Sequence, residues 1–283
     1  SELVLGDIYL DKAKEIAKKL DSEKISVMRV NAQRREDLTK VLEKKDAVIN
    51  AALPKYNESI MDVALKNRVH YIDLASDLPW DSVRRQLSHD NAWKAANLIA
   101  IMGLGEDPGM SNIFARHIAD KLDQASEIRI RDGDNAFSKE FAFPCLFSPD
   151  VLIDEVFNPP ATYEDGVLHK LSPLSGEEVY KFPEPIGPLT VYNVDHEETE
   201  TLPKFLDKGI HYVDFKLAFS PQTVEMLKIL KQLNLTSKEP ITVKGVKIAP
   251  RDVLLALLPK PANLAGKVEG YSCIALDIMG VKI

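Results

Sequence analysis

Leu98-Ile-Ala-Ile-Met-Gly-Leu-Gly-Glu-Asp-Pro-Gly-Met-Ser-Asn-Ile-Phe114 is the stretch whose reading decides the fold. Leu98 to Met102 is an unbroken apolar run, as expected of a strand buried on both faces. Gly103 to Glu106 is a glycine-rich turn. Ile113, Phe114, Ile118 and Leu122 then recur at helical spacing. Asp107 is placed to cap that helix and Pro108 to open it, where a missing N–H costs nothing. A glycine turn that runs from the carboxyl end of a strand into a helix directs free N–H groups and the positive end of the helix dipole at an anion or polar ligand. The alternative is an ordinary strand–loop–helix connection.

The same alternation fills the chain before it. Strands are predicted at Leu3 to Asp7, Ile25 to Val30, Asp46 to Asn50 and His70 to Leu74. Helical spacing separates them: Ala13, Ile16, Ala17 and Leu20; Leu38, Val41 and Leu42; Ile60, Met61, Ala64 and Leu65. One longer helix, lined by Trp80, Val83, Leu87, Trp93 and Ala96, precedes the strand at Leu98. This pattern predicts βαβ units with right-handed crossovers, and so a Rossmann-like, doubly wound parallel sheet over residues 1–110. Ligands of such sheets lie beyond the carboxyl ends of the strands, where Asp7, Asn31, Asn50, Asp73 and Asp77 fall. Asp7 carries the most information. An acid that closes the second strand of a dinucleotide fold accepts hydrogen bonds from the ribose hydroxyls and repels a 2′-phosphate, which favours NAD over NADP. Otherwise Asp7 simply begins a turn.

The glycine fingerprint Gly-x-Gly-x-x-Gly, expected about 20 residues before such an acid, is not found in residues 1–283. Gly103-Leu-Gly105 follows the wrong strand and lacks the third glycine. A sheet without its central first strand has two unpaired edges. The chain therefore reads as a fragment of a longer protein or as a remnant of the fold.

Beyond the glycine turn the pattern changes. Ser126 to Asp132 alternates as a strand, Asp132-Gly-Asp134 reads as a turn, and Val151 to Val156 as a short helix between prolines. Thr162 to His169 reads as a hairpin on Asp165-Gly166. Leu189 to His196 and Gly209 to Phe219 are predicted strands, the second with His211, Val213, Phe215, Leu217 and Phe219 on one face. Pro221 to Leu235 and Arg251 to Leu258 are predicted helices, Ile241 to Ile248 a hairpin around Gly245, and Tyr271 to Val281 a last strand. Residues 111–283 are thus expected to form an α+β domain, a mixed or mostly antiparallel sheet covered by helices on one face.

Composition narrows the partners. A formal charge of −7 argues against nucleic acid or an anionic membrane surface. No apolar run approaches the ~20 residues that span a bilayer, and no signal-type segment follows Ser1, so a cytoplasmic location is expected. Cys145 and Cys273 stand alone and are expected as reduced thiols. The six histidines show no ligand spacing, and no metal is expected.

Gly103 to Asn112 carries the pattern Gly-x-x-x-x-Pro-Gly. Phe147 to Glu155, Gly187-Pro-Leu189, His196 to Pro203 and Pro250-Arg-Asp-Val-Leu254 follow in order. In these segments the chain resembles the saccharopine dehydrogenase-like superfamily, which includes saccharopine reductases, carboxynorspermidine dehydrogenase and lysine ε-dehydrogenase. The resemblance implies NAD(P)-dependent oxidation or reduction of a CH–NH bond in an amino-acid or polyamine derivative, with a second domain that binds substrate and forms a homodimer. It implies cofactor contacts from Asp7, Asn31, Asn50, Ala51, Pro54, Gly103, Pro108 and Gly109. Relatives continue past the last strand, so Ile283 reads as a truncation.

The chemistry needs one group that moves a proton to or from the amine nitrogen, with a pKa near working pH. His196 is the first candidate, with the acids from Asp195 to Glu200 expected to raise its pKa. Glu198 and Asp77 are the others. The competing reading of His196 is a half-exposed side chain beside a solvated acidic turn. Ser111 and Asn112, at the helix after Pro108, are expected to hold a substrate carboxylate, and Arg251 a second one, unless Arg251 is a first-turn surface residue. The acidic segment suits a cationic amine, hence a lysine- or polyamine-related substrate. The rival reading, from another class, is a non-catalytic scaffold or ligand-binding remnant.

Overall fold

The computed structural model describes residues 2–77 and 81–283. The chain divides into two compact units, one ending at Gly109 and the other starting at Met110.

In the first unit, short strands rich in Val, Ile and Leu alternate with helices that bury one face. The order is β1 (Leu3–Asp7), α1 (Leu10–Leu20), β2 (Ile25–Arg29), α2 (Arg35–Leu42), β3 (Ala47–Asn50), α3 (Asn57–Lys66), β4 (His70–Asp73), α4 (Asp81–Leu87), α5 (Asp90–Ala95) and β5 (Ala100–Ile101). Every pairing is parallel: β1 with β2, β3 with β4, and β4 with β5. The strands form one sheet of two and one of three, and β1 and β3 each have a single neighbour among the described residues. Apolar side chains on these two strands stay in solvent, Leu3 at 47% and Ile49 at 66% exposure. Leu38, Leu42, Ile60, Met61, Ala64, Tyr71 and Trp93 form the core under the three-stranded sheet.

Three local expectations fail here for identifiable reasons. The long helix is two helices, because the Ser88 hydroxyl donates to the Arg85 carbonyl at 2.6 Å and ends the first; Trp80 lies outside the described residues. The strand at Leu98 shortens to two residues, and the Ile99 N–H is taken by His70 Nδ1 at 3.0 Å. The helix expected to begin at Asp107 begins at Met110. Gly109 precedes it with φ +128°, outside any helical turn, so Asp107 is not its cap and Pro108 not its first residue.

The second unit runs α6 (Met110–Ala119), β6 (Gln124–Asp134), α7 (Pro149–Phe157), β7 (Ala161–Glu164), β8 (Val167–Lys170), β9 (Glu178–Lys181), β10 (Pro188–Asn193), α8 (Glu198–Phe205), β11 (Tyr212–Ala218), α9 (Pro221–Gln232), β12 (Ile241–Val243), β13 (Val246–Ile248), α10 (Pro250–Leu257) and β14 (Ser272–Val281). Seven strands make one sheet along β14-β6-β11-β10-β9, with β7 on β11 and β8 on β7. Only β6 and β11 pair in parallel. Ser148 and Ser220 cap α7 and α9, each followed by a proline in the first turn. Period-two alternation puts Ile128 and Ile130, Val213, Phe215 and Leu217, and Ile274, Leu276 and Ile278 on one face. There they pack with Ala115, Leu152, Val156, Leu202 and Leu227 of the covering helices.

On the other face Arg131, 1% exposed, donates to both Asp214 oxygens at 2.8 and 3.0 Å and to Glu178 at 3.1 Å. Asp132-Gly133-Asp134 is not a turn but the end of β6. Gly133 pairs with Cys273, and a Cβ there would lie 2.5 Å from the Phe182 ring. Strand β9 and helix α8 were not expected. Cys145 and Cys273 are free. No helix of the described residues is long and apolar enough to cross a membrane.

Candidate active site

The residues from Asp195 to Thr201 build the most unusual polar cluster of the second unit. β10 ends at Asn193 rather than His196, and the Asp195 N–H donates to the Glu155 carbonyl at 3.0 Å, which draws the following loop onto α7. Thr199 and Thr201 hydroxyls donate to the His196 and Glu197 carbonyls, each at 3.0 Å, and fix the entry into α8. His196 is therefore not a surface side chain: it is 6% exposed. Its ring lies flat on Phe215, centroids 3.7 Å apart and planes 5° from parallel. Nδ1 hydrogen-bonds to Glu198 and lies 3.6 Å from Glu197, and Nε2 lies 3.8 Å from Glu155. The second Glu198 oxygen accepts from the Ser111 hydroxyl at 2.5 Å.

Burial opposes a charged imidazole, but the Glu198 carboxylate, joined by Glu155 and Glu197, outweighs it and holds His196 protonated well above its usual pKa. Burial also works against the Glu198 charge, and His196 and Ser111 overcome it, so the Glu198 carboxyl stays below its usual range. Asp195 differs. It is 1% exposed, its Oδ2 has no hydrogen-bond partner among the described residues, and burial pushes its carboxyl up to about 7. His196, Glu197 and Glu198 each place one donor atom within 4.8 Å of the others. In this structure His196 Nδ1 meets one Glu198 oxygen, and the Ser111 hydroxyl donates to the other.

Ser111 and Asn112, expected to hold a substrate carboxylate, make contacts within the protein. Ser111 holds Glu198, and the Asn112 amide donates to Thr201 Oγ1 at 3.2 Å. Arg251 is buried and gives its guanidinium to the Thr236 carbonyl at 2.8 Å, Asp150 at 3.2 Å and Asp154 at 2.5 Å, tying α10 to α7. Glu155 and Phe215 were missed. The signal for Glu155 was a carboxylate on the apolar face of a helix, beside Leu152 and Val156.

In the first unit the expected residues gather at the carboxyl ends of three strands. Asn50 accepts from the Ala52 N–H at 3.1 Å and donates to Asn57 at 2.8 Å and Tyr71 Oη at 3.0 Å. Tyr71 donates to Asp73 at 2.9 Å, and Asp73 accepts from the Gly103 N–H at 2.6 Å. The Leu104 and Gly105 N–H groups go to the Asp73 and Pro108 carbonyls, both at 2.8 Å. The amides of Gly103, Leu104 and Gly105 are thus consumed within the turn and not offered to an anion. Ala51 is exposed, and Pro54 opens a short 3-10 turn. Asp7 is exposed at the end of β1, where it accepts from the Tyr9 N–H at 2.7 Å and stands opposite Arg29 in the strand register. Asn31 accepts from Gln33 and shapes the turn after β2. Asp77 is half-buried after β4, in this unit and not in the one that holds His196.

Residues 1–101 match the saccharopine dehydrogenase NADP-binding domain, and residues 105–271 the saccharopine dehydrogenase C-terminal domain. The chain is 30% identical over 289 residues to carboxyaminopropylagmatine dehydrogenase of Synechocystis, covering 100% of this chain and 72% of that protein. It is 29% identical over 308 residues to carboxynorspermidine synthase of Vibrio cholerae, covering 99% and 72%. Among solved structures, apo saccharopine dehydrogenase (L-Glu forming) of Saccharomyces cerevisiae aligns with a TM-score of 0.65 at 16% identity, over 99% of this chain and 80% of that one. Homospermidine synthase of Legionella pneumophila, in complex with NAD, aligns with a TM-score of 0.63 at 14% identity, over 99% and 75%. At such identities the two structures speak to the fold.

Proposed function

The chain belongs to the saccharopine dehydrogenase family, and from that premise we propose that it is a nicotinamide-dependent oxidoreductase acting on the CH–NH bond of a carboxyl-bearing polyamine or amino-acid derivative. The observation that carries this reading is the buried His196 imidazolium held between Glu198 and Glu155. A bound nicotinamide supplies or accepts the hydride. The side chains must handle the proton and the amine. A ring held protonated at neutral pH is a proton donor, so His196 fits protonation of an imine nitrogen during reduction and takes the proton back in the reverse direction. The carboxylates that favour the imidazolium favour an ammonium group for the same electrostatic reason. Glu198 orients the ring, and Asp77 is the alternative proton carrier.

The residues present fit a dinucleotide at its adenosine end, where Asp7 stands exposed past β1 for the ribose hydroxyls, which supports NAD. The loop Asn50 to Pro54 and the turn Gly103 to Gly109 border the other half of the fold. Arg29, opposite Asp7, supports a second reading in which a 2′-phosphate is accepted and NADP is used. A homodimer through the sheet of the second unit and a cytoplasmic setting complete the proposal.

The test begins with fluorescence titration of NADH and NADPH, followed by turnover on saccharopine, lysine and carboxyalkylated di- and polyamines. Binding of a dinucleotide and turnover of one amine class are expected, and His196→Ala should abolish turnover while leaving dinucleotide affinity intact. Binding of neither dinucleotide would leave the non-catalytic scaffold as the better reading.

A further inference from the structure

Asp73 is the most heavily engaged polar residue of the first unit, yet no role has been assigned to it. It is the last residue of β4 and is 1% exposed. Its Oδ1 accepts from the Gly103 N–H at 2.6 Å. Its Oδ2 accepts from Tyr71 Oη at 2.9 Å and Gln86 Nε2 at 2.8 Å, and its main-chain carbonyl accepts from the Leu104 N–H at 2.8 Å. One residue thus holds two consecutive amides of the glycine turn after β5. Tyr71, which donates to Asp73, accepts from Asn50 Nδ2 at 3.0 Å, and Asn50 Oδ1 pins the Ala52 N–H of the loop after β3. A buried chain of hydrogen bonds therefore joins the loops at the carboxyl ends of three adjacent parallel strands.

The turn it holds tolerates no slack. Gly103 has φ +61°, and a Cβ on Gly105 would lie 2.5 Å from the Leu74 carbonyl oxygen. Burial raises the Asp73 carboxyl, and Gly103, Gln86 and Tyr71 counter it. Three donors suit a carboxylate, which is acceptor-only, better than an acid or an amide.

We propose that Asp73 is a positioning residue: it sets the Gly103–Gly109 turn and, through Tyr71, the Asn50 loop in the geometry that receives the nicotinamide half of the dinucleotide. The proposal rests on the nicotinamide-dependent reading above. A doubly wound sheet binds a dinucleotide across the carboxyl ends of its two halves. Asp7 marks the half formed by β1 and β2 for the adenosine, and β3, β4 and β5 are left for the nicotinamide.

The test compares Asp73→Asn, Tyr71→Phe and Gln86→Met in the full chain. Asparagine offers one acceptor where the carboxylate offers two, so it keeps Gly103 or the Tyr71–Gln86 pair but not both. Gln86→Met removes a donor from the same carboxylate on the side away from the turn, and so controls for a purely structural effect. Three quantities are read: NADH affinity by fluorescence, KM for the amine at saturating dinucleotide, and hydrogen exchange of the Gly103 and Leu104 amides.

The expected result for Asp73→Asn is roughly tenfold weaker NADH binding, the equivalent of one charge-assisted hydrogen bond, with faster exchange of both amides and an unchanged amine KM. Tyr71→Phe should show a smaller loss of affinity, and Gln86→Met NADH affinity close to that of the parent protein. Unchanged exchange in Asp73→Asn would overturn the positioning claim. Faster exchange with unchanged NADH affinity would overturn its link to the dinucleotide. Equal losses of affinity in Asp73→Asn and Gln86→Met would reduce the effect to general stability and overturn it too. Failure of the parent protein to bind either dinucleotide would overturn the nicotinamide-dependent reading and this inference with it, while the exchange measurement would still report whether Asp73 holds the turn.

Discussion

Replacing Glu198 by Gln tests the proton chemistry and the architecture of the second unit together. Glu198 is fully buried, its two oxygens divided between His196 Nδ1 and the Ser111 hydroxyl. Glutamine keeps the shape and one acceptor but removes the charge that holds the ring protonated. Removing one partner of a buried ion pair costs about 3–5 kcal/mol. Glutamine retains a hydrogen bond, and Glu155 and Glu197 remain near the ring, so the low end applies, about 3 kcal/mol. For a domain of this size that lowers Tm by roughly 10 °C.

The pH dependence carries the sign. The His196 pKa is raised in the folded state, so its contribution to stability is fully present below the unfolded value and is lost as pH rises through the folded one. The Tm gap between parent and variant should therefore be widest near pH 6 and narrow towards alkaline pH. Without Glu198 the largest influence that raises the His196 pKa is gone, and the burial that opposes the charge weighs more, with Glu155 and Glu197 left to favour it. Loss of a positioned proton donor lowers kcat for the reductive direction by about 100-fold or more. Calorimetry across the pH range and steady-state kinetics with saturating dinucleotide read both effects. A Tm difference that does not vary with pH, together with an unchanged kcat, would refute the assignment of His196 as a buried imidazolium that serves the reaction.

Asp195→Asn should flatten the pH dependence of stability on the acid side. The Asp195 carboxyl is raised to about 7 by burial, so the native parent loses stability as pH rises from the unfolded value towards 7, and the asparagine variant does not; urea midpoints across that range would show it. Asp7→Ala should move the NADH-to-NADPH preference in kcat/KM towards NADPH by roughly fivefold, the size of one exposed charge–charge term, and Arg29→Ser should move it the opposite way. Gly133→Ala forces a methyl to within 2.5 Å of the Phe182 ring and should cost about 2 kcal/mol by overpacking. The Gly133→Ala, Phe182→Leu double variant should then lose less than the sum of the two single changes, measured by urea denaturation.

Periodicity carried most of the architecture because each element buries one face against a partner of the same kind. The alternation of Val213, Phe215 and Leu217 reads directly as one face of β11, and the Asp165-Gly166 turn as the hairpin of β7 and β8. Readings that depended on a single hydrogen bond or dihedral failed. Nothing in Leu98 to Met102 shows that His70, from the neighbouring strand, takes the Ile99 N–H, and nothing in Asp107-Pro108 shows that Gly109 leaves helical space. The burial of His196 was invisible for the same reason. Its ring rests on Phe215, its second nitrogen faces Glu155, and the Ser111 that steadies Glu198 lies 87 residues away from it in sequence.

Residue type alone does not separate ligand-facing roles from structural ones, because the groups that bind substrates are the groups that satisfy buried polar atoms. Ser111, Asn112 and Arg251 have the chemistry to hold carboxylates, and in this structure they contact side chains of the protein: Glu198, Thr201, and the pair Asp150 and Asp154. What separates a site from its scaffold is whether donors and acceptors balance. Arg251 joins two carboxylates and a carbonyl, and Ser111 closes one side of Glu198. Asp195, at 1% exposure, keeps one oxygen, Oδ2, without a hydrogen-bond partner among the described residues, beside a ring whose pKa is raised. An uncompensated acceptor in a dry interior costs free energy that folding alone does not recover. The unmatched oxygen and the raised carboxyl therefore set Asp195 apart from Ser111 and Arg251, whose polar atoms are matched by other groups of the protein.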